Sequence, residues 1–133
     1  SSSRSLFGKG RSIGISSLTD SQFQMLADAS KHFGFDPNWI EQRQWNANLG
    51  DNIAAVCVDA DSWNSSVASR VQWLRDDLEI TAPIILTLNF PRHCDIDEAR
   101  IAGVCEVVSK PFQLDDLGQS IERAIDGVKD LAI

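Results

Sequence analysis

Lys110-Pro111-Phe112 closes the apolar segment Gly103-Val104-Cys105-Glu106-Val107-Val108-Ser109, so a strand-like run, a lysine and a proline arrive in a set order before an amphipathic stretch. The proline fixes φ and stops the strand. A lysine at a strand's C-terminal end points its ammonium into the crevice where open α/β sheets keep their ligands. It suits an anion there, whether a carboxylate or a phosphoryl group. Taken alone, Lys-Pro more often marks a surface lysine before a turn. The other strand-like runs end on side chains with chemistry of their own: Ser16 and Ser17 after Ile13-Gly14-Ile15, Asp59 after Ala54-Ala55-Val56-Cys57-Val58, and Thr87 within Ile84-Ile85-Leu86-Thr87-Leu88.

These side chains meet only if the strands lie side by side, and the chain alternates strand and helix in a way that would place them so. Thr19 caps the first helix, with Gln22 three residues on as in a capping box. Phe23, Leu26, Ala27 and Phe33 repeat at helical spacing until Gly34 ends the helix. Residues 39–45 read as a second strand of poor pattern. The run from Ala54 to Val58 shows no alternation, the mark of a strand buried on both faces. Ser65 or Ser66 opens a helix with Val67, Val71, Leu74 and Leu78 on one face, and Pro83 opens the next buried strand. A short helix over 97–102 leads to a strand over 104–108, and the last helix carries Leu114, Leu117, Ile121, Ile125 and Val128. Such alternation predicts a parallel sheet covered on both faces, with right-handed crossovers that bring all strand C-termini to one edge. Ser16, Ser17, Asp59, Thr87 or Leu88, and Lys110 would then share one crevice.

Composition narrows the function classes. The 133 residues fit one domain, 43% hydrophobic and 23% charged. No apolar run approaches the ~20 residues that span a bilayer. Residues 1–10 are rich in Ser, Gly and basic residues and read as a linker or cloning remnant, with the domain over 11–133. Twelve basic against nineteen acidic residues give a net charge of −7, a sign that repels nucleic acid and anionic lipid. Cys57, Cys94 and Cys105 are an odd number without paired spacing, and His32 and His93 are isolated, which argues against a metal cluster. Thiols in apolar runs favour a reducing compartment, and the expected location is cytoplasmic.

Val56-Cys57-Val58-Asp59, Pro83-Ile84-Ile85-Leu86-Thr87 and the block from Gly103 to Phe112, followed by Leu114-Asp115-Asp116-Leu117, resemble a response-regulator receiver domain. The resemblance covers nearly the whole chain, and its last block is the specific one. It implies a doubly wound, five-stranded parallel sheet of order 2-1-3-4-5, receiver or flavodoxin-like. In that family the aspartate ending strand three accepts a phosphoryl group from a histidine kinase, which maps onto Asp59. The switch hydroxyl maps onto Thr87 and the lysine onto Lys110.

The departures point away from phosphoryl transfer. Receivers end strand one with two acidic residues that hold Mg²⁺, and those positions here read Ser16-Ser17. A hydroxyl is a poor ligand for a hard dication that prefers charged oxygen, and transfer depends on the metal neutralising developing charge. Ser62-Trp63 stands where Met-Pro is usual, and Val107 where many receivers carry an aromatic residue. Thr87 lies one residue nearer Pro83 than family spacing, which leaves Leu88 as an alternative at the switch position. Residues 46–53 are short for a full second helix, which is expected to be reduced or missing.

A receiver that keeps its lysine but lacks the metal acids resembles a pseudoreceiver, as found inside GacS/BarA-like hybrid sensor histidine kinases. The resemblance implies a non-enzymatic interaction module, without cofactor or metal, that docks on a histidine kinase core or another signalling domain; such a domain can belong to the cytoplasmic part of a membrane-anchored kinase. Lys110 would pair with Asp59 and close the pocket. Two other readings stay open: a working phosphoacceptor at Asp59 with a weakened Mg²⁺ site, and a sensor of small anions or nucleotides in the same crevice. The family's usual contact surface implies an interface over 95–100 and 113–123, with Arg100, Asp116, Gln119, Glu122 and Arg123 facing solvent. Trp39, Trp45, Trp63 and Trp73 are either interface anchors or core packing, and Trp63 is the one placed on the loop over the crevice.

Overall fold

The computed structural model describes residues 11–42 and 53–131. Among them run β1 (Ser12–Ser16), α1 (Asp20–His32), β2 (Asp36–Trp39), a 3₁₀ turn (Ile40–Gln42), β3 (Ile53–Asp59), α2 (Ser65–Asp76), β4 (Ile84–Asn89), α3 (His93–Ile101), β5 (Glu106–Lys110) and α4 (Leu114–Leu131). All strand pairs are parallel, in the order β2-β1-β3-β4-β5. Of the segment 46–53, where the second helix is expected to be reduced or missing, residues 46–52 lie outside the described residues and Ile53 opens β3.

The lack of alternation in β3 has its cause in the two cores. Ala55 and Cys57 face one core with Ile13, Ile15, Leu26, Phe33, Leu117 and Ile121. Val56 and Val58 face the other, with Val67, Val71, Leu74, Leu86 and Ala99. Period-two side chains that are apolar on both faces read as one continuous run. Burial pushes the Cys57 thiol up to about 12, so it stays protonated and packs as a small apolar group. Leu114, expected on the buried stripe of α4, is 45% exposed, as the first residue of the helix on the wall of a cavity it shares with Met25, Ala29 and Phe112.

Local signals set most of the boundaries. Thr19 Oγ1 accepts from the Gln22 N–H at the start of α1, and α2 opens at Ser65, one of the two expected starts, capped by the Asn64 side chain, which accepts from the Val67 N–H. At the end of α1, Gly34 takes φ 91° and the Phe35 N–H returns to the Ser30 carbonyl, a Schellman turn that only a residue tolerant of positive φ permits.

Two strands lie elsewhere than the sequence suggests. β2 occupies Asp36–Trp39, and residues 40–42 of the strand expected over 39–45 form the 3₁₀ turn, its remainder lying outside the described residues. The Schellman turn delivers the chain directly to the sheet at Asp36, whose N–H donates to the Arg11 carbonyl, and Pro37 is tolerated because β2 is an edge strand. β5 begins at Glu106 instead of Val104. Gly103 at φ 113° ends α3 in a second such turn, and the Val104 N–H is engaged by the Ala99 carbonyl. α3 itself begins at His93, earlier than its apolar pattern indicates, with Asp95 accepting from the Arg92 N–H.

Candidate functional site

Parallel strands with right-handed crossovers place their carboxyl ends along one crevice. Asp59 is the last residue of β3, Lys110 the last of β5, and Thr87 sits opposite Asp59 in the β3–β4 register. The structure brings these three together. Lys110 Nζ donates to Asp59 Oδ1 at 2.9 Å, and Thr87 Oγ1 donates to the same oxygen at 2.8 Å. Asp59 is 1% exposed, and its second oxygen, Oδ2, is buried without a hydrogen-bond partner among the described residues. A buried carboxylate costs several kcal/mol of desolvation, about what a well-placed ammonium returns. Leu88 does not compete for the switch position, since its side chain turns into the core beneath α2 and α3.

Ser16 and Ser17, at the end of β1, meet two residues that sequence reasoning missed. Glu41, on the 3₁₀ turn after β2, accepts from Ser16 Oγ at 2.5 Å and from the Ser17 N–H at 3.1 Å. Arg70, on α2, donates through NH2 to the Asp59 carbonyl at 3.1 Å and through NH1 to the carbonyl and hydroxyl of Ser16 at 3.4 Å. Burial pushes the Arg70 guanidinium down, and the carboxylates of Glu41 and Asp59 push it back up. Arg70 was legible in part: it lies three residues after Val67 and four before Leu74, a charge on the buried face of its helix. Glu41 was hidden by the misplaced second strand. Above Asp59 a cavity of about 170 Å³ is bordered by Gln22, Ser62, Asn64 and Arg70.

The expected interface residues Arg100, Asp116, Gln119, Glu122 and Arg123 are all exposed. Asp116, Gln119 and Arg123 border a shallow cavity of about 350 Å³ against β5, which Arg100 and Glu122 do not reach. Arg123 donates to Glu106 at 3.0 Å and to Ser120 at 3.1 Å. The described tryptophans all pack against the body of the domain, and Trp63 does not border the cavity above Asp59. Trp39 stacks on Phe23 at 4.7 Å and donates its indole N–H to the Ser17 carbonyl, and Trp63 and Trp73 lie half-buried against the core under α2. Trp45 lies outside the described residues.

The sequence matches no protein-family model and no curated protein. Solved structures match in shape. The chemotaxis protein CheY4 of Vibrio cholerae superposes with TM-score 0.66 at 14% identity, over 86% of this chain and 98% of that one. The signal receiver domain of a signal transduction histidine kinase from Syntrophus aciditrophicus gives 0.64 at 19%, over 90% and 93%. The fold is the receiver fold. A Burkholderia pseudomallei structure described as pilus assembly-related shares it, with TM-score 0.70 at 16% identity over 92% of each chain.

The receiver fold implies a divalent cation beside the aspartate that ends strand three, and the orphaned Oδ2 of Asp59, with the exposed Asp61 carboxylate on the same cavity, fits it. The donor set at the end of β1 does not. Ser16 and Ser17 supply no charged oxygen, the nearby Glu41 carboxylate is engaged on both oxygens, and a guanidinium lies between Ser16 and Asp59. Among the described residues no group of three His, Cys, Asp or Glu side chains could hold a metal. Mg²⁺ with its near-octahedral oxygen shell is poorly served by such a site. No helix among the described residues is long and apolar enough to cross a membrane.

Proposed function

We propose that the chain is a non-catalytic pseudoreceiver of a two-component signalling protein, a hybrid sensor histidine kinase, and that it acts by docking on a kinase core or a neighbouring signalling domain. One observation carries this reading: the Asp59 carboxylate is held by Lys110 and Thr87 inside a crevice whose remaining cation is a protein side chain. Phosphoryl transfer draws its rate from positioned metal charge, and this donor set offers none. Incubated with acetyl phosphate and Mg²⁺, the protein should show no phosphoryl adduct by intact-mass spectrometry. An adduct that disappears in Asp59→Ala would overturn the reading. The orphaned Oδ2 favours a second reading, a phosphoacceptor with a weakened metal site, and that same adduct would establish it.

The docking face in this reading is formed by α3, β5 and α4. Arg100→Glu with Arg123→Glu should weaken binding to a histidine kinase core, measured by calorimetry, because charged pairs at such a rim set specificity and association rate. Stability should fall by less than about 1 kcal/mol, since the Arg123–Glu106 pair is at the surface. Binding that survives these reversals but fails in Trp39→Ala would place the face on the β2 edge instead.

A further inference from the structure

We propose that Arg70 is the resident cation of the crevice, standing where the receiver fold otherwise carries a divalent ion, with Glu41 as its counter-charge. The inference deepens the non-catalytic reading, and rests on it only in taking the crevice to work without a metal. Charge balance comes first. A receiver with two acids on strand one, an acceptor aspartate and one lysine leaves an excess of two negative charges, which a dication neutralises. Here Asp59, Glu41 and Asp61, which lines the same cavity at its exposed rim, supply three negative charges, and Lys110 and Arg70 two positive ones. The excess falls from two negative charges to one, at the solvent-facing Asp61, which is half of what a divalent ion would balance.

Hydrogen bonding agrees with the charge count. A serine hydroxyl has one proton and two lone pairs. Ser16 donates its proton to Glu41 Oε2 and turns lone-pair density toward Arg70 NH1. Serine therefore relays between the carboxylate and the guanidinium, a part that an aspartate at position 16 could not play beside Glu41. Arg70 uses its planar fork to span two strand ends, NH1 on β1 and NH2 on β3. A lysine ammonium is a single point charge and could not bridge both with that geometry.

Removing the guanidinium should take away the positive charge that the Glu41 and Asp59 carboxylates act on, leaving Lys110 as the nearby cation among the described residues, so that the crevice attracts a divalent ion it otherwise repels. Mn²⁺, titrated by electron paramagnetic resonance, is the probe. The wild-type chain should show no saturable binding at millimolar Mn²⁺. Arg70→Met should bind at least about tenfold more tightly than wild type, and Glu41→Gln in that background should remove the gain. Arg70→Gln keeps donors toward Ser16 and Asp59 without the charge, so it serves if the methionine variant does not fold. Saturable Mn²⁺ binding by the wild type, or no gain in a folded Arg70 variant, would overturn the proposal. The two ideas fail separately. Mn²⁺ bound by a wild type that cannot be phosphorylated sinks the Arg70 assignment alone, whereas Asp59 labelled in a wild type that binds no Mn²⁺ sinks the non-catalytic reading alone.

Discussion

Lys110→Met is expected to lower the unfolding free energy by about 3–5 kcal/mol, the usual cost of leaving one member of a buried ion pair without the other. The asymmetry of burial sets the size. The Asp59 side chain is 0% exposed and Lys110 only 13%, so without the ammonium the carboxylate keeps the Thr87 hydroxyl and little else within reach of Oδ1. Asp59→Asn should cost less, about 1–3 kcal/mol, because a lysine at the crevice mouth can extend its head group toward water. The double variant Lys110→Met with Asp59→Asn should be more stable than the sum of the single effects by about 0.5–3 kcal/mol. Urea unfolding of the four proteins measures this directly. Strict additivity with small single effects would mean that the pair does not hold the crevice closed.

Gly118→Ala and Gly127→Ala should shift stability in opposite directions although both lie in α4. Replacing a helix-interior glycine by alanine ordinarily gains about 0.5–1 kcal/mol through backbone entropy. At Gly127 nothing lies within 4 Å of an added Cβ, so that gain should appear in full. At Gly118 the added Cβ would fall on the Phe33 ring, 2.6 Å from both Cε atoms. Phe33 is 6% exposed at the end of α1, and a close-packed interior gives it little room to retreat. Overpacking of this kind costs about 1–3 kcal/mol and outweighs the propensity gain, for a net loss of about 1–2 kcal/mol. A thermal melt in which both variants are stabilised would show that the helix can slide away from α1.

Much of this architecture is written in local pattern. Continuous apolar runs at 54–58 and 84–88, and the helical repeats of Val67, Val71 and Leu74 and of Leu117, Ile121 and Ile125, declare strands buried on both faces and helices buried on one. Asp59, Thr87 and Lys110 were visible because each sits at or near a strand's carboxyl end, and strand ends in a parallel sheet converge. Element edges were less legible: the second Schellman turn at Gly103 engages the Val104 N–H, and no apolar pattern reveals where a backbone donor is already used. The chemistry between the charges was settled only by the tertiary structure. Ser16 meets Glu41 across 25 residues and Arg70 across 54, and electrostatic pairing depends on distance in space, which the order of residues along the chain does not encode. Two serines stand where the resemblance leads one to expect two acids, which the sequence displays; that Glu41 and Arg70 meet Ser16 is decided by the fold, which brings the turn after β2 and the face of α2 to the end of β1.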